Sequence, residues 1–225
     1  MIAAAAGLGI VAGACAGYLI QADREPTELP SLSQPVLDRA EGEVEALSAA
    51  QDRLVKTDGD LRKLLVSRPK GAGDGFVATD TDGWLDQAAY ADAYESPVDS
   101  FNYLADSEFR RAARTAWREG DTYGVEIILV QFRQERELVA PEQSENGRYW
   151  AEKKDNTRSW AIPGTGDGRV YVHDTPVREP GYAAVYSAEA HAWRGDIAME
   201  IWVHDVKPIT KSKLITLANR QMENL

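Results

Sequence analysis

The chain has 225 residues, with 36 Asp and Glu against 25 Lys and Arg for a net charge of −11, and a single cysteine, Cys15. The acidic surplus argues against nucleic acid and anionic lipid surfaces as electrostatic partners. One cysteine cannot form a disulfide within the chain, and everything after it is free of thiols.

Residues 1–20 carry no charge, and the first charged side chains arrive together as Asp23, Arg24 and Glu25. Such a run just spans a bilayer, although eleven of its twenty residues are Ala or Gly, which makes it a weak spanning helix. Ala12-Gly13-Ala14 and Ala14-Cys15-Ala16 would suit signal cleavage, or lipidation at Cys15, but no basic residue precedes the apolar run. The run also continues past the cysteine through Tyr18, Leu19 and Ile20, so an uncleaved anchor is favoured. The missing basic flank suggests that the natural start lies upstream of Met1. Arg24 sits among Asp23, Glu25 and Glu28, and nothing there holds the C-terminal flank inside, so the bulk of the chain is expected outside the cytoplasm.

Pro26, Pro30 and Pro35 mark residues 21–36 as an extended stalk. The spacing of Leu37, Ala40, Val44, Leu47 and Leu54 predicts a helix that ends before Gly59, opening a helical segment over 37–96. Asp60 can cap a short helix through Leu61, Leu64 and Leu65, stopped by Pro69 and the glycines at 71, 73 and 75. A further helix is predicted over 84–94 after the turn Asp82-Gly83, and another opens at Pro97 and carries Phe101 and Leu104.

Composition alone would make 109–117 helical, but the later chain argues for a strand. Arg114-Thr115-Ala116-Trp117-Arg118-Glu119-Gly120-Asp121 is echoed by Ala190-His191-Ala192-Trp193-Arg194-Gly195-Asp196, and Val125-Glu126-Ile127 by Met199-Glu200-Ile201. Residues 109–153 and 182–225 therefore read as two diverged strand-hairpin-helix units, with Trp117 and Trp193 in equivalent places. The nearly continuous apolar run 125–132 reads as a central strand covered on both sides, with the helices before residue 105 as the candidates to cover it. Gly195-Asp196 suits a two-residue turn with Gly first. Pairing Arg194 with Ile197 then sets Ala192, Ala190 and Ala188 opposite Met199, Ile201 and Val203 on an apolar face. On the other face His191 opposes Glu200, Glu189 opposes Trp202, and Ser187 opposes His204, while a strand over 169–173 turns Tyr171 and His173 the same way. The last helix, within 210–225, should carry Leu214, Leu217, Ala218, Met222 and Leu225 on one stripe, with Thr210 at its N-cap. Residues 97–225 are thus expected to form an α+β domain, an antiparallel sheet with helices packed on it.

The side chains most like a site are His191, Glu200, Trp202 and His204, which are assigned here to ligand or partner binding. Imidazole and carboxylate on one face could also hold a metal in an envelope hydrolase, the alternative reading. The plainer account, which is favoured, is a solvated face with cross-strand pairs worth a few tenths of a kcal/mol each. No serine stands in a nucleophile elbow, so no catalytic residue, metal or cofactor is assigned. Arg194-Gly195-Asp196 spells an adhesion tripeptide that turn chemistry already explains. Gly164-Thr165-Gly166-Asp167-Gly168 has the glycines of a phosphate cradle but no following Lys-Ser/Thr.

The order of anchor, stalk and paired units, with the terminal Leu217-Ala218-Asn219-Arg220-Gln221-Met222, resembles exported domains of actinobacterial proteins. Among these are the sensor domains of some transmembrane serine/threonine kinases and various small lipoproteins. The resemblance spans about 97–225, implies a binding or sensing fold in a cell envelope, and transfers no residue. Expected partners are the membrane, through the first helix, and either an envelope protein or a small ligand.

Overall fold

The computed structural model describes residues 14–15, 17–18, 21–24, 56–76 and 82–225. The expected anchor, stalk and helix from Leu37 fall wholly or mostly outside these residues. Among the described residues no helix is long and apolar enough to cross a membrane. The chain divides into Met1–Val44 and Glu45–Leu225. In the first unit, 14–15, 17–18 and 21–22 are helical.

The second unit is α+β. Its strands are β1 (Gly73–Asp74), β2 (Trp84–Leu85), β3 (Phe109–Glu119), β4 (Tyr123–Phe132), β5 (Thr157–Ala161), β6 (Arg169–Val177), β7 (Val185–Arg194) and β8 (Ile197–Asp205). Its helices are α1 (Gln87–Ala91), α2 (Pro97–Asp106), α3 (Val139–Lys153) and α4 (Lys211–Glu223), preceded by a 3₁₀ turn at Leu61–Leu64. The antiparallel sheet runs β1-β3-β4-β8-β7-β6-β5, and β2 also pairs with β3. The strand reading of 109–117 is correct, since Trp117 pairs with Val125 in the β3–β4 ladder.

The predicted β7–β8 register is the observed one: Arg194 opposite Ile197, His191 opposite Glu200, Glu189 opposite Trp202 and Ser187 opposite His204. Gly195 alone of the two turn residues has a positive φ, of 57°, as a first-position glycine allows. Alternation along the strands then sends Ile127, Leu129, Met199, Ile201, Val203, Val170, Val172 and the alanines of β7 into one core. Leu214, Leu217, Ala218 and Met222 of α4 close that core, each large side chain contributing about 1.5–3 kcal/mol of burial. Thr210 does occupy the N-cap position with extended backbone, but its side chain makes no capping hydrogen bond.

Strand β4 is covered on both faces, as its apolar run predicted, but the opposite face of the β7–β8 hairpin departs from expectation. Instead of facing water, it is covered by a second core that includes Leu85, Tyr90, Leu104, Ile128, Phe132, Val139 and Trp193. Helix α3 lies across β7 and β8 on its way from β4 to the far-edge strand β5. The 84–94 helix is likewise corrected. Trp84 and Leu85 pair with Ala113 and Ala112 of β3, and the Asp86 carboxylate, accepting from Ala89 N, delays the helix to Gln87. The proposed equivalence of Trp117 and Trp193 also fails. The partner of Val125 is Trp117, whereas the partner of Met199 is Ala192, so Trp193 is one residue out of step and faces the other core.

Candidate functional site

Two rows of side chains cross the middle of the helix-covered face. Glu126, Trp202 and Glu189 stand side by side on β4, β8 and β7, and Ile128, Glu200 and His191 form the next row. Above them α1, the turn that follows it and α3 leave a cavity of about 560 Å³. That volume is in the range of small-molecule sites. His191, Glu200, Trp202 and His204, chosen from sequence, all line it. His191 is 1% exposed and Glu200 7%, Trp202 is half-buried, and His204 is exposed.

Glu200 is held by neutral donors. The Tyr90 hydroxyl donates to its Oε1 at 2.5 Å, and Gln143 Nε2 approaches the same oxygen at 3.2 Å. Tyr94 donates to the Tyr90 oxygen at 2.8 Å, and Gln143 also reaches both hydroxyls. Burial pushes the Tyr90 hydroxyl well above its ordinary pKa, and the Glu200 charge adds to the effect; Tyr94 is raised for the same reasons. Both therefore remain donors at neutral pH. Their i, i+4 spacing, continued one turn past α1, brings the rings together edge to face at 5.5 Å.

Glu189 anchors a second system. His173 Nε2 lies 2.7 Å from its Oε1, His191 Nε2 2.8 Å from its Oε2, and Lys154 Nζ donates to Oε1 at 2.6 Å. Burial alone would raise this carboxyl, but the hydrogen bonds from His173, His191 and Lys154 outweigh it and hold Glu189 far below the usual carboxylate range. His191 also meets the Trp202 ring edge-on at 5.4 Å, and its Nδ1 is enclosed without a hydrogen-bond partner among the described residues. Gly147 of α3 lies directly over that imidazole, with no room for a Cβ. The His204 imidazole is held below its ordinary pKa by burial of part of its surface and by the nearby Lys154 charge, which keeps it neutral at pH 7. Burial raises the Glu126 carboxyl; Arg114, 3.5 Å away, opposes the shift, and Glu200 adds to it.

No family model, curated protein or solved structure matches this chain.

The reading of the site therefore stands on its chemistry. Among the described residues no three His, Cys, Asp or Glu side chains converge as a metal site. Of the groups that suggested one, His173 and His191 are committed to Glu189, while Glu200 is held by Tyr90 and Gln143. Among the described residues no serine, threonine or cysteine lines the cavity beside the His191–Glu189 pair. The adhesion tripeptide is not on display either. Asp196 is 0% exposed and accepts from Thr57 N at 3.0 Å and from Gln131 Nε2 at 2.7 Å. In the glycine-rich loop, Asp167 accepts from the Trp193 indole at 2.9 Å and pairs with Arg148 at 2.6 Å, which gives the segment a structural role. Sequence reasoning missed Tyr90, Tyr94, Gln143, Trp150 and Lys154. The tyrosine spacing and a glycine inside α3 were the available signals.

Proposed function

We propose that the chain is a binding or sensing module of a cell envelope, carried outside the cytoplasm on an N-terminal anchor, and that the cavity roofed by α1 and α3 is its ligand site. One observation carries the reading: His191, Glu200, Trp202 and His204, separately legible in the sequence, line one aromatic-walled cavity. The uncharged run over 1–20 and the absence of cysteine beyond position 15 support the location. The metal-dependent hydrolase is not advanced, because His173 and His191 are tied up in hydrogen bonds to Glu189 and no three such side chains converge among the described residues.

The two hairpins also read as diverged copies limited to β3–β4 and β7–β8. Glu126 and Glu200, echoed in sequence, face the same cavity, whereas the following helices α3 and α4 lie on opposite faces.

A thermal-shift screen of the full chain against small aromatic and polar compounds tests the site. Binders should stabilise the wild type, and the stabilisation should vanish in Ala93→Trp, which fills the mouth of the cavity. A screen in which every binder acts equally on wild type and A93W would refute it.

A further inference from the structure

The charges around the cavity are unequal. Among the described residues four glutamates face it, Glu95, Glu126, Glu189 and Glu200, against one arginine and one lysine. Lys154 is paired with Glu189 at 2.6 Å and Arg114 with Glu126 at 3.5 Å. The neighbouring His204 stays neutral at pH 7 and adds no positive charge. Glu200 is different in kind. It is 7% exposed, no cation among the described residues lies within ion-pairing distance of it, and both of its donors are neutral.

Both of those donors bind Oε1. Oε2 accepts no hydrogen bond from any described residue, yet it is not among the fully enclosed unsatisfied atoms, so it is the oxygen open to the cavity. A buried carboxylate fixed through one oxygen and presenting the other is a poor arrangement without a counter-charge. Around it stand aromatic surfaces: the half-buried Trp202 two residues along β8, Tyr90 and Tyr94 beside it, and Trp150, 62% exposed, at the rim. The faces of such rings attract cations. The protein already uses that attraction here, since Lys154 Nζ lies 5.6 Å from the Trp202 ring centroid.

Resting on the reading of this cavity as a ligand site, we propose that its ligand is a compact organic cation, an aromatic or alkyl amine whose ammonium pairs with Glu200 Oε2 while its apolar body lies between Trp202, Tyr94 and Trp150. An anion would meet the surplus of carboxylates. A neutral ligand of the same shape would leave Glu200 uncompensated.

Three probes of similar size separate the possibilities: phenethylamine, 3-phenyl-1-propanol and 3-phenylpropionate, each titrated into the full chain and followed by tryptophan fluorescence and calorimetry. Phenethylamine is expected to bind tightest and the propionate weakest. Glu200→Gln, which keeps size and hydrogen bonding, should weaken the amine by about 10- to 100-fold and leave the alcohol unchanged. Trp202→Leu provides a second readout independent of the carboxylate, costing the amine more than the alcohol. If the alcohol or the propionate binds as well as the amine, and E200Q changes none of them, the cation assignment is overturned while the cavity remains a ligand site. If no probe binds, or if A93W binds all three as wild type does, the ligand-site reading fails with it.

Discussion

Gly147 offers a test of the roof of the site in which the sign of the effect is the result. In an ordinary helix interior Gly→Ala stabilises by about 1 kcal/mol, because glycine surrenders more backbone freedom on folding. At Gly147 the added methyl would fall on the His191 ring, 2.7 Å from Cε1 and 2.8 Å from Cγ. The ring has little room to yield: it is 1% exposed, and its Nε2 is held 2.8 Å from Glu189. Overpacking of this kind costs about 1–3 kcal/mol, so Gly147→Ala should destabilise by roughly 1–2 kcal/mol net. In a His191→Ala background the obstacle is gone, and the same substitution should stabilise by about 1 kcal/mol. Guanidinium unfolding of the four full-length variants, followed by tryptophan fluorescence, measures the cycle. A stabilising G147A in the wild-type background would show that α3 does not press on His191 and that the cavity roof is misplaced.

Three further outcomes follow from the buried hydrogen bonds of the sheet. Tyr90→Phe removes the 2.5 Å donor to Glu200 and should cost about 1.5–3 kcal/mol in chemical denaturation; an unchanged midpoint would mean that Glu200 is satisfied elsewhere. Glu189 is held more strongly deprotonated in the native than in the unfolded chain. Its stabilisation is therefore complete above the ordinary carboxylate value of 4.5 and lost as pH falls towards the lower native value. Unfolding midpoints of wild type should decline more steeply below that pH than those of Glu189→Gln, and parallel curves would contradict the assignment. Asp196→Ala removes the acceptor of Thr57 N and one of the two acceptors of the buried Gln131 Nε2, which keeps its bond to Thr57 O, for an expected loss of about 1–3 kcal/mol; a neutral effect would remove the carboxylate from its structural role.

What the sequence revealed divides along physical lines. The β7–β8 register followed from two local signals, a glycine-first turn and strict alternation, and both act within a few residues. The α4 stripe followed from helical periodicity in the same way. The covering of the His191 face did not, because α3 carries Gln143, Asn146 and Gly147 towards the cavity, where an amphipathic pattern would lead one to expect apolar residues. Polar satisfaction across a cavity leaves no periodic trace. Trp84 and Leu85 read as helix because their propensity was judged without the β3 edge they complete. The apparent match of Trp117 and Trp193 aligned sequence without parity, and a single inserted residue before the first turn was enough to place them on opposite faces.

The central seam of the sheet has a consequence for when the site comes into being. Strands β4 and β8 are partners from distant parts of the described chain, and the cavity straddles their junction, with Glu126 on one side and Trp202 and Glu200 on the other. A partly assembled chain can form either hairpin alone, since each closes through a short turn, but neither hairpin holds a complete site. Joining them requires the slowest kind of contact, one between segments far apart in sequence. Occupancy of the cavity would thus report a finished fold, and a ligand present while the chain folds would favour that state over every intermediate preceding it.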